Sequence, residues 1–253
     1  MFCFVMALKS KAVSKNWERV SSLFEASLCS AYQQINPNIK IIVVCHETPK
    51  LNESYDERVE IINVDFPPPA KLDTKLTMQD KWNKLAVGLV RAGELNPEFI
   101  MIMDADDLVS NRLAEFAQYS PSCNGWIFKK GYQYRYGSRW IYVNDHYNCG
   151  TNAIVNAKLI NFPQTTDREE IKKCVVLTTG HLGIETTLAE LGTPLTPLPF
   201  FGGVQIVKHG DNDSDLWVEH GRPSIRQLLG RFRRTRWLSP QLRQEFSIPS
   251  VNQ

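Results

Sequence analysis

The amino-acid sequence predicts an α/β protein: a mostly parallel central sheet flanked by helices, then an antiparallel portion and a C-terminal helical tail. Three features carry that prediction. Strand-patterned and helix-patterned segments alternate through the first hundred residues, the run Phe99-Ile100-Met101-Ile102-Met103 is apolar without interruption, and the alternation stops in an aromatic- and glycine-rich stretch at 125–145. Unbroken apolar strands are buried on both faces, as inside a parallel sheet.

The elements follow in order. Residues 2–8 read as a first strand, and Trp17, Val20, Phe24, Leu28, Ala31 and Ile35 stand at helical spacing after it. Residues 39–47, closed by His46 and Glu47, form the second strand of a β-α-β unit, and 59–66 a third strand. Pro67 to Pro69 make a rigid break, and Trp82, Leu85, Ala86 and Leu89 share one face of the next helix. Strands separated by helices of this size imply parallel pairing through right-handed crossovers. Beyond residue 107, Ser110 is placed to cap a short helix carrying Leu113, Phe116 and Ala117. The stretch 125–145 suits an antiparallel hairpin or lid. Residues 178–192 read as a helix with Ile184, Leu188 and Leu191 inward and Gly192 as its stop, followed by a late strand that ends in His209.

With 253 residues, 43% apolar and 22% charged, the chain suits one large core. The formal net charge of +2 by itself argues neither for nor against nucleic acid, and none is expected as a partner. The six cysteines are scattered without a C-x-x-C pair, so reduced thiols are expected. The apolar start is too short to span a bilayer and reads as a strand, and no other segment approaches the roughly 20 apolar residues of a membrane-crossing helix. A cytoplasmic protein is the expectation.

The apolar run 99–103 leads directly into Asp104, Asp106 and Asp107. In open α/β sheets, ligands bind at the carboxyl ends of the strands. Neighbouring carboxylates raise each other's pKa unless a cation compensates them, which makes a divalent ion the obvious companion. The plainer alternative is a turn cluster ahead of the Ser110 helix, where Asp residues form local hydrogen bonds.

Together the β-α-β start, the buried strand ending in Asp104-Ala105-Asp106-Asp107, the Cys149-Gly150-Thr151-Asn152 turn, the acid-bearing helix around Glu185 and the late Lys208-His209-Gly210-Asp211-Asn212 segment resemble a GT-A-fold glycosyltransferase, family-2-like, of the nucleotide-diphospho-sugar transferase superfamily. The resemblance covers residues 2 to 213 and rests most specifically on the D-x-D motif. It implies a Rossmann-like GT-A domain over 1–213, with a nucleotide-binding half at 1–107 and an acceptor-binding half at 108–213, before a basic tail at 214–253. It further implies metal-dependent transfer of a sugar from a nucleotide-diphosphate donor to a hydroxyl of a saccharide or lipid-linked acceptor, in cell-surface or secreted polysaccharide or glycolipid synthesis. Mn²⁺ or Mg²⁺ would offset the charge of the leaving diphosphate. In that scheme Asp104, Asp106, Asp107 and His209 are the candidate metal residues: Asp104 contacts the ribose or a metal-bound water, Asp106 ligates the ion, Asp107 can swing toward it as the chain turns, and His209 supplies a late ligand, with Asp211 or Asn212 as substitutes; a structural histidine is the alternative. Asp65, Leu8 and Lys9 would adjoin the nucleotide. Lys81 and Lys84 are candidates for phosphate, or for a solvated face, and Gly150, Thr151 and Asn152 would lie near the sugar or form an ordinary turn. Glu185, with His181 four residues before it, is the candidate general base, although Thr186 stands where many relatives carry an Asp. Tyr132, Tyr134, Tyr136, Trp140 and Tyr142 would pack on a sheet or stack on acceptor sugar.

The last segment is basic. Arg222, Arg226, Arg231, Arg233, Arg234, Arg236 and Arg243 accompany Ile225, Leu228, Leu229 and Phe232 at helical spacing. A basic amphipathic helix suits peripheral contact through 222–243 with the inner face of a membrane, binding to an acidic partner, or docking back on the domain. Two other functions fit parts of the pattern: a haloacid-dehalogenase-like phosphatase or phosphotransferase using the Asp-x-Asp cluster, and a non-catalytic α/β domain that binds a partner. The segment after the first strand lacks a glycine-rich phosphate loop, which argues against a pyrophosphorylase and a dinucleotide-binding dehydrogenase.

Overall fold

A computed structural model describes residues 1–210 and 233–249. In chain order the elements are β1 (Phe2–Ala7), α1 (Trp17–Tyr32), β2 (Ile39–Cys45), β3 (Val59–Asn63), α2 (Thr74–Glu94), β4 (Phe99–Asp104), β5 (Asp107–Val109), α3 (Leu113–Gln118), β6 (Gly125–Ile127), β7 (Gly131–Arg135), β8 (Trp140–Asn144), β9 (Ala153–Asn156), α4 (Arg168–Lys173), α5 (Val175–Glu190), β10 (Thr196–Pro197), β11 (Gly203–Val207), β12 (Thr235–Trp237) and α6 (Pro240–Phe246). The protein is a mixed α/β structure whose seven-stranded central sheet runs β10-β6-β9-β4-β1-β2-β3. Pairing is parallel from β3 through β4 and again between β6 and β10, while β9 runs antiparallel to both its neighbours.

Alternation along β1 explains the two layers of helices. Phe4 and Met6 point to one face with Ile41, Val43 and Met101, where Phe24, Leu28 and Ala31 of α1 cover them. Val5 points to the other with Ile42, Val44 and Ile100, under Leu85, Leu89 and Ala92 of α2 and Ile184 and Leu188 of α5. Both crossover helices start from side-chain caps: Asn16 accepts from the Arg19 N–H, and Asp73 from the Leu76 N–H.

A second sheet, β12-β8-β7-β11-β5, leans on α1. Its inner face carries Leu108, Tyr134, Ile141, Val204 and Ile206 against Leu23 and Ala26, and Leu238, Phe246 and Ile248 close the cluster from the end of the chain. The expected division at residue 214 into a domain and a tail therefore fails for the described part of that tail. Residues 235–237 are a sheet strand and α6 is core, because Phe246 is fully enclosed. The expected amphipathic helix with Ile225, Leu228, Leu229 and Phe232, together with Arg222, Arg226, Arg231, Asp211 and Asn212, lies outside the described residues.

Several boundaries differ from the sequence expectation, each for a local reason. Helix α1 stops at Tyr32, leaving Ile35 exposed in the following turn. Leu191 also lies past its helix and is exposed, next to Gly192, whose φ of 77° ends the turn. Strand β2 ends at Cys45 and β3 at Asn63, where their pairing stops. Ser110 does not cap α3, whose N-cap is Arg112; its hydroxyl instead accepts from the Arg112 N–H and donates to Glu245 at 2.7 Å, joining the start of α3 to α6. Among the tyrosines, Tyr134 is core and Tyr132 stacks on Phe201 at 4.5 Å, whereas Tyr136 and Trp140 are exposed. All six cysteines are free thiols, and burial pushes Cys3 up to about 12. Among the described residues no helix is long and apolar enough to cross a membrane.

Phe246→Ala is expected to destabilise the protein by about 3 to 5 kcal/mol in urea unfolding, as for deletion of any large core side chain. A change below about 0.5 kcal/mol, the level of a surface position, would return α6 to the status of a tail.

Candidate functional site

Strands β1 and β4 run side by side in register, so that Ala7 pairs with Asp104 and both end at the same edge of the sheet. Beyond that edge opens a cavity of about 830 Å³, walled by Leu8 and Lys9, the turn from Asp104 to Asp107, Gly150 and Asn152, Lys81 and Trp82 of α2, His181 of α5, and His209. Such a position is where side chains from several loops converge on a ligand in sheets of this kind.

The three acids do not project together, as a continuing extended chain would have them. Strand β4 ends at Asp104, the chain turns through Ala105 and Asp106, and Asp107 opens β5 opposite Gln205. Asp104 is ion-paired with the Lys81 ammonium at 2.5 Å. Its own N–H donates to the Thr151 hydroxyl at 2.9 Å, and a Cβ on Gly150 would come within 2.2 Å of its carboxylate. The Gly150-Thr151 turn is thus a cradle moulded to Asp104 rather than an ordinary hairpin turn. Asp106 meets His209, whose Nε2 lies 3.0 Å from Oδ2. Lys208, at a φ of 60°, turns the chain after β11, and Arg19 donates to the His209 carbonyl at 3.0 Å, so the imidazole is directed back to the acids from both sides. Asp107 is buried with its Oδ2 unpartnered. Burial, reinforced by the charges of Asp106 and Asp104, pushes it well above the usual carboxylate range. Burial works against the charge of Lys81, but Asp104 and then its acidic neighbours outweigh it and raise that ammonium.

Other expected residues are placed differently. Lys84 cannot meet phosphate from a solvated face: it is wholly buried, donating to the Leu8 carbonyl at 2.8 Å and to Asp80 at 2.6 Å. Burial lowers its pKa, with Asp80 opposing. Asp80 also meets His46 Nε2 at 2.8 Å, so a His46-Asp80-Lys84 chain pins the end of β1 at the cavity floor. Asp65 is exposed after β3 and is not part of the cavity wall. His181 and Glu185 separate. Gly180 (φ 59°, ψ −172°) breaks α5, and His181, the first residue after the break, lines the cavity. Glu185 lies outside the wall, paired with Lys129 at 2.6 Å. Burial lowers the His181 pKa, Asp104 pulling the other way, so the imidazole is neutral at neutral pH. Asn152 donates to the His181 carbonyl at 3.0 Å.

Some wall residues carried no site reading in the sequence. Asp80 was visible as an i,i+4 partner of Lys84, a pattern that signals a helix pair but not burial. Gln133 and Gln205, bonded to one another at 3.0 Å across β7 and β11, reach the cavity only through sheet register. Among the described residues, no three His, Cys, Asp or Glu side chains converge as a metal cluster.

The chain matches no protein-family model and no curated protein. Among solved structures it is similar to S. aureus TarS, with 12% identity and a TM-score of 0.47 over 83% of this chain and 37% of that one. It is also similar to TarS 1-349 in complex with UDP (12% identity, TM-score 0.41, covering 83% and 61%). A third is 4-diphosphocytidyl-2C-methyl-D-erythritol synthase from Anaerococcus prevotii (11% identity, TM-score 0.41, covering 86% and 93%). The chain spans 37% to 61% of the length of the TarS chains.

Two measurements probe the cluster. Gly150→Ala is expected to cost about 1 to 3 kcal/mol of stability in the native background and markedly less with Asp104→Ala, because the methyl group collides with that carboxylate. Equal costs would break the link between the two residues. Asp107 holds its proton in the folded protein over a range where the unfolded chain has lost it, so its contribution is complete below about pH 4 and is lost as pH rises through its folded value. With a chelator present, the melting temperature of Asp107→Asn relative to the native protein should therefore climb between about pH 4 and pH 8. A constant difference would mean that Asp107 is ionised throughout.

Proposed function

We propose that the protein is a GT-A-type glycosyltransferase that moves a sugar from a nucleotide-diphosphate donor to an acceptor hydroxyl with the help of Mn²⁺ or Mg²⁺. The observation that carries this reading is the meeting of Asp104, Asp106 and His209, from elements a hundred residues apart in sequence, in one substrate-sized cavity at the carboxyl ends of β1 and β4.

The donor set fits a divalent ion. An ion shared with a diphosphate needs only one or two protein ligands. Asp106 Oδ2 and His209 Nε2 stand 3.0 Å apart, the spacing of adjacent ligands about an ion with bonds of about 2.1 Å. These two residues would hold the ion, which supplies charge compensation for the leaving diphosphate. Lys81 fixes Asp104 through Oδ1 while Oδ2 lies against the Gly150 turn, which holds the carboxylate at the edge where the donor would bind. Leu8 and Lys9 receive the nucleotide, and Lys84 serves it indirectly by fixing the Leu8 carbonyl. Neutral and inside the cavity, His181 is the group suited to accept the acceptor's proton at Nδ1 or Nε2; Glu185, held by Lys129 outside it, is not. A haloacid-dehalogenase-like reaction would need a freely approachable Asp104 nucleophile, whereas this carboxylate is held by Lys81 and the Gly150 turn.

Titration calorimetry with UDP, GDP and CDP sugars in Mn²⁺ should reveal binding of one nucleotide class, weakened roughly 10- to 100-fold by Asp106→Ala or His209→Ala. Folded protein that binds none of them, or that turns over an aryl phosphate instead, would end this reading. His181→Asn should lower kcat by about 10² to 10⁴ with donor affinity retained, and Glu185→Gln should leave kcat unchanged; the reverse pattern would restore Glu185 as the base.

A further inference from the structure

Two tryptophans stand in the open on the second sheet. Trp140 and Trp237 are cross-strand partners on β8 and β12, 53% and 54% exposed, with rings edge to face at 5.2 Å. Exposed tryptophans paired in this way at a sheet edge call for an occupant, because each leaves a large apolar ring in water.

Register fixes which way they look. Asp107, Gln205, Gln133, Tyr142 and Thr235 form one continuous row across the sheet. Its first three members line the cavity. Side chains two residues apart on a strand share a face, so Trp140 and Trp237 lie on this same face, one pair beyond Tyr142 and Thr235. The inner face, with Tyr134 and Ile141, points the other way into the core. The aromatic pair thus stands on the face whose other end lines the cavity, and Trp140 is a diagonal neighbour of Gln133, about 7 Å away.

Charge selects the occupant. The segments that carry the pair, 128–145 and 233–245, hold eight Lys and Arg residues against two acids, Asp145 and Glu245. Of these, Arg135, Arg139, Arg233 and Arg236 are exposed; Arg135 shares the face of Gln133 and the tryptophans, while Arg236, paired with Ile141, emerges at the edge from the other face. Arg234 is balanced by Asp145 at 3.2 Å, and Lys129 by Glu185. Tryptophan combined with exposed arginine matches the boundary between headgroups and acyl chains of an anionic bilayer, where the indole sits at headgroup depth and the guanidinium meets phosphate. We propose that this patch docks the protein on an anionic phospholipid surface. The inference stands without the glycosyltransferase reading, since it uses no residue assigned to the reaction.

The test is co-sedimentation of the full chain with phosphatidylcholine vesicles, with and without about 30% phosphatidylglycerol. Native protein should bind the anionic vesicles and not the neutral ones, and high salt should release it. Trp140→Ser with Trp237→Ser should lower partitioning about tenfold or more, since each indole removes apolar area from water on docking. Replacing Arg135, Arg139, Arg233 and Arg236 by Gln should cost about fivefold per arginine and remove the salt sensitivity. Melting curves establish that each variant is folded, and the arginine variant decides the matter should the tryptophan variant unfold. Equal binding to both vesicle types, partitioning unchanged by the arginine changes, retention by a soluble anionic polysaccharide without vesicle binding, or a dimer abolished by the tryptophan changes would each overturn the proposal.

Discussion

Three carboxylates lie within four residues at the mouth of the cavity, and unit charges about 5 Å apart repel by about 3 kcal/mol per pair at an effective dielectric of about 20. The protein deals with each acid separately: Lys81 holds Asp104, His209 meets Asp106, and Asp107 is buried, which raises its pKa. Each arrangement recruits a different part of the chain. Helix α2 must bring Lys81 over the sheet edge, the Gly150-Thr151 turn must close against Asp104, and β11 must end with the left-handed Lys208 that returns His209. The geometry of both sheets converges on this compensation. It also makes the turn after β4 a place where a phosphate-bearing ligand with its cation could replace protein cations without leaving any acid unopposed.

The parallel half was legible because its signals are local. Continuous apolar runs announced β1, β2 and β4, helical spacing announced α1 and α2, and the position of Asp104 at the strand end followed directly. What lay hidden depends on contacts distant in sequence. Nothing near Lys84 says that Asp80 and the Leu8 carbonyl enclose it, and the helical spacing of His181 and Glu185 is correct only if Gly180 stays helical. The arginines around 233–243 masked a strand and a core helix, since α6 buries only a few apolar side chains and the strand is three residues long. Composition dominated that reading, whereas Phe246 and Leu238 decided the outcome.

Division of labour between the sheets also explains the cavity's mixed character. The central sheet contributes an apolar floor from Ile100, Ile102 and Val155 beside Trp82 and Ile184, and the second sheet contributes amide and carboxyl groups from Gln133, Gln205 and Asp107. Few polar groups among apolar walls orient a ligand strongly, because an unsatisfied partner there costs more than one in water.

The Ser110–Glu245 hydrogen bond spans 135 residues and ties the first strand of the second sheet to the last helix. A ribosome must therefore deliver the chain as far as α6 before Leu23, Leu108 and Val204 find their cover, while the central sheet has most of its strands long before that. A product cut short of α6 would present this greasy surface uncovered, making it a ready client for chaperones and proteases.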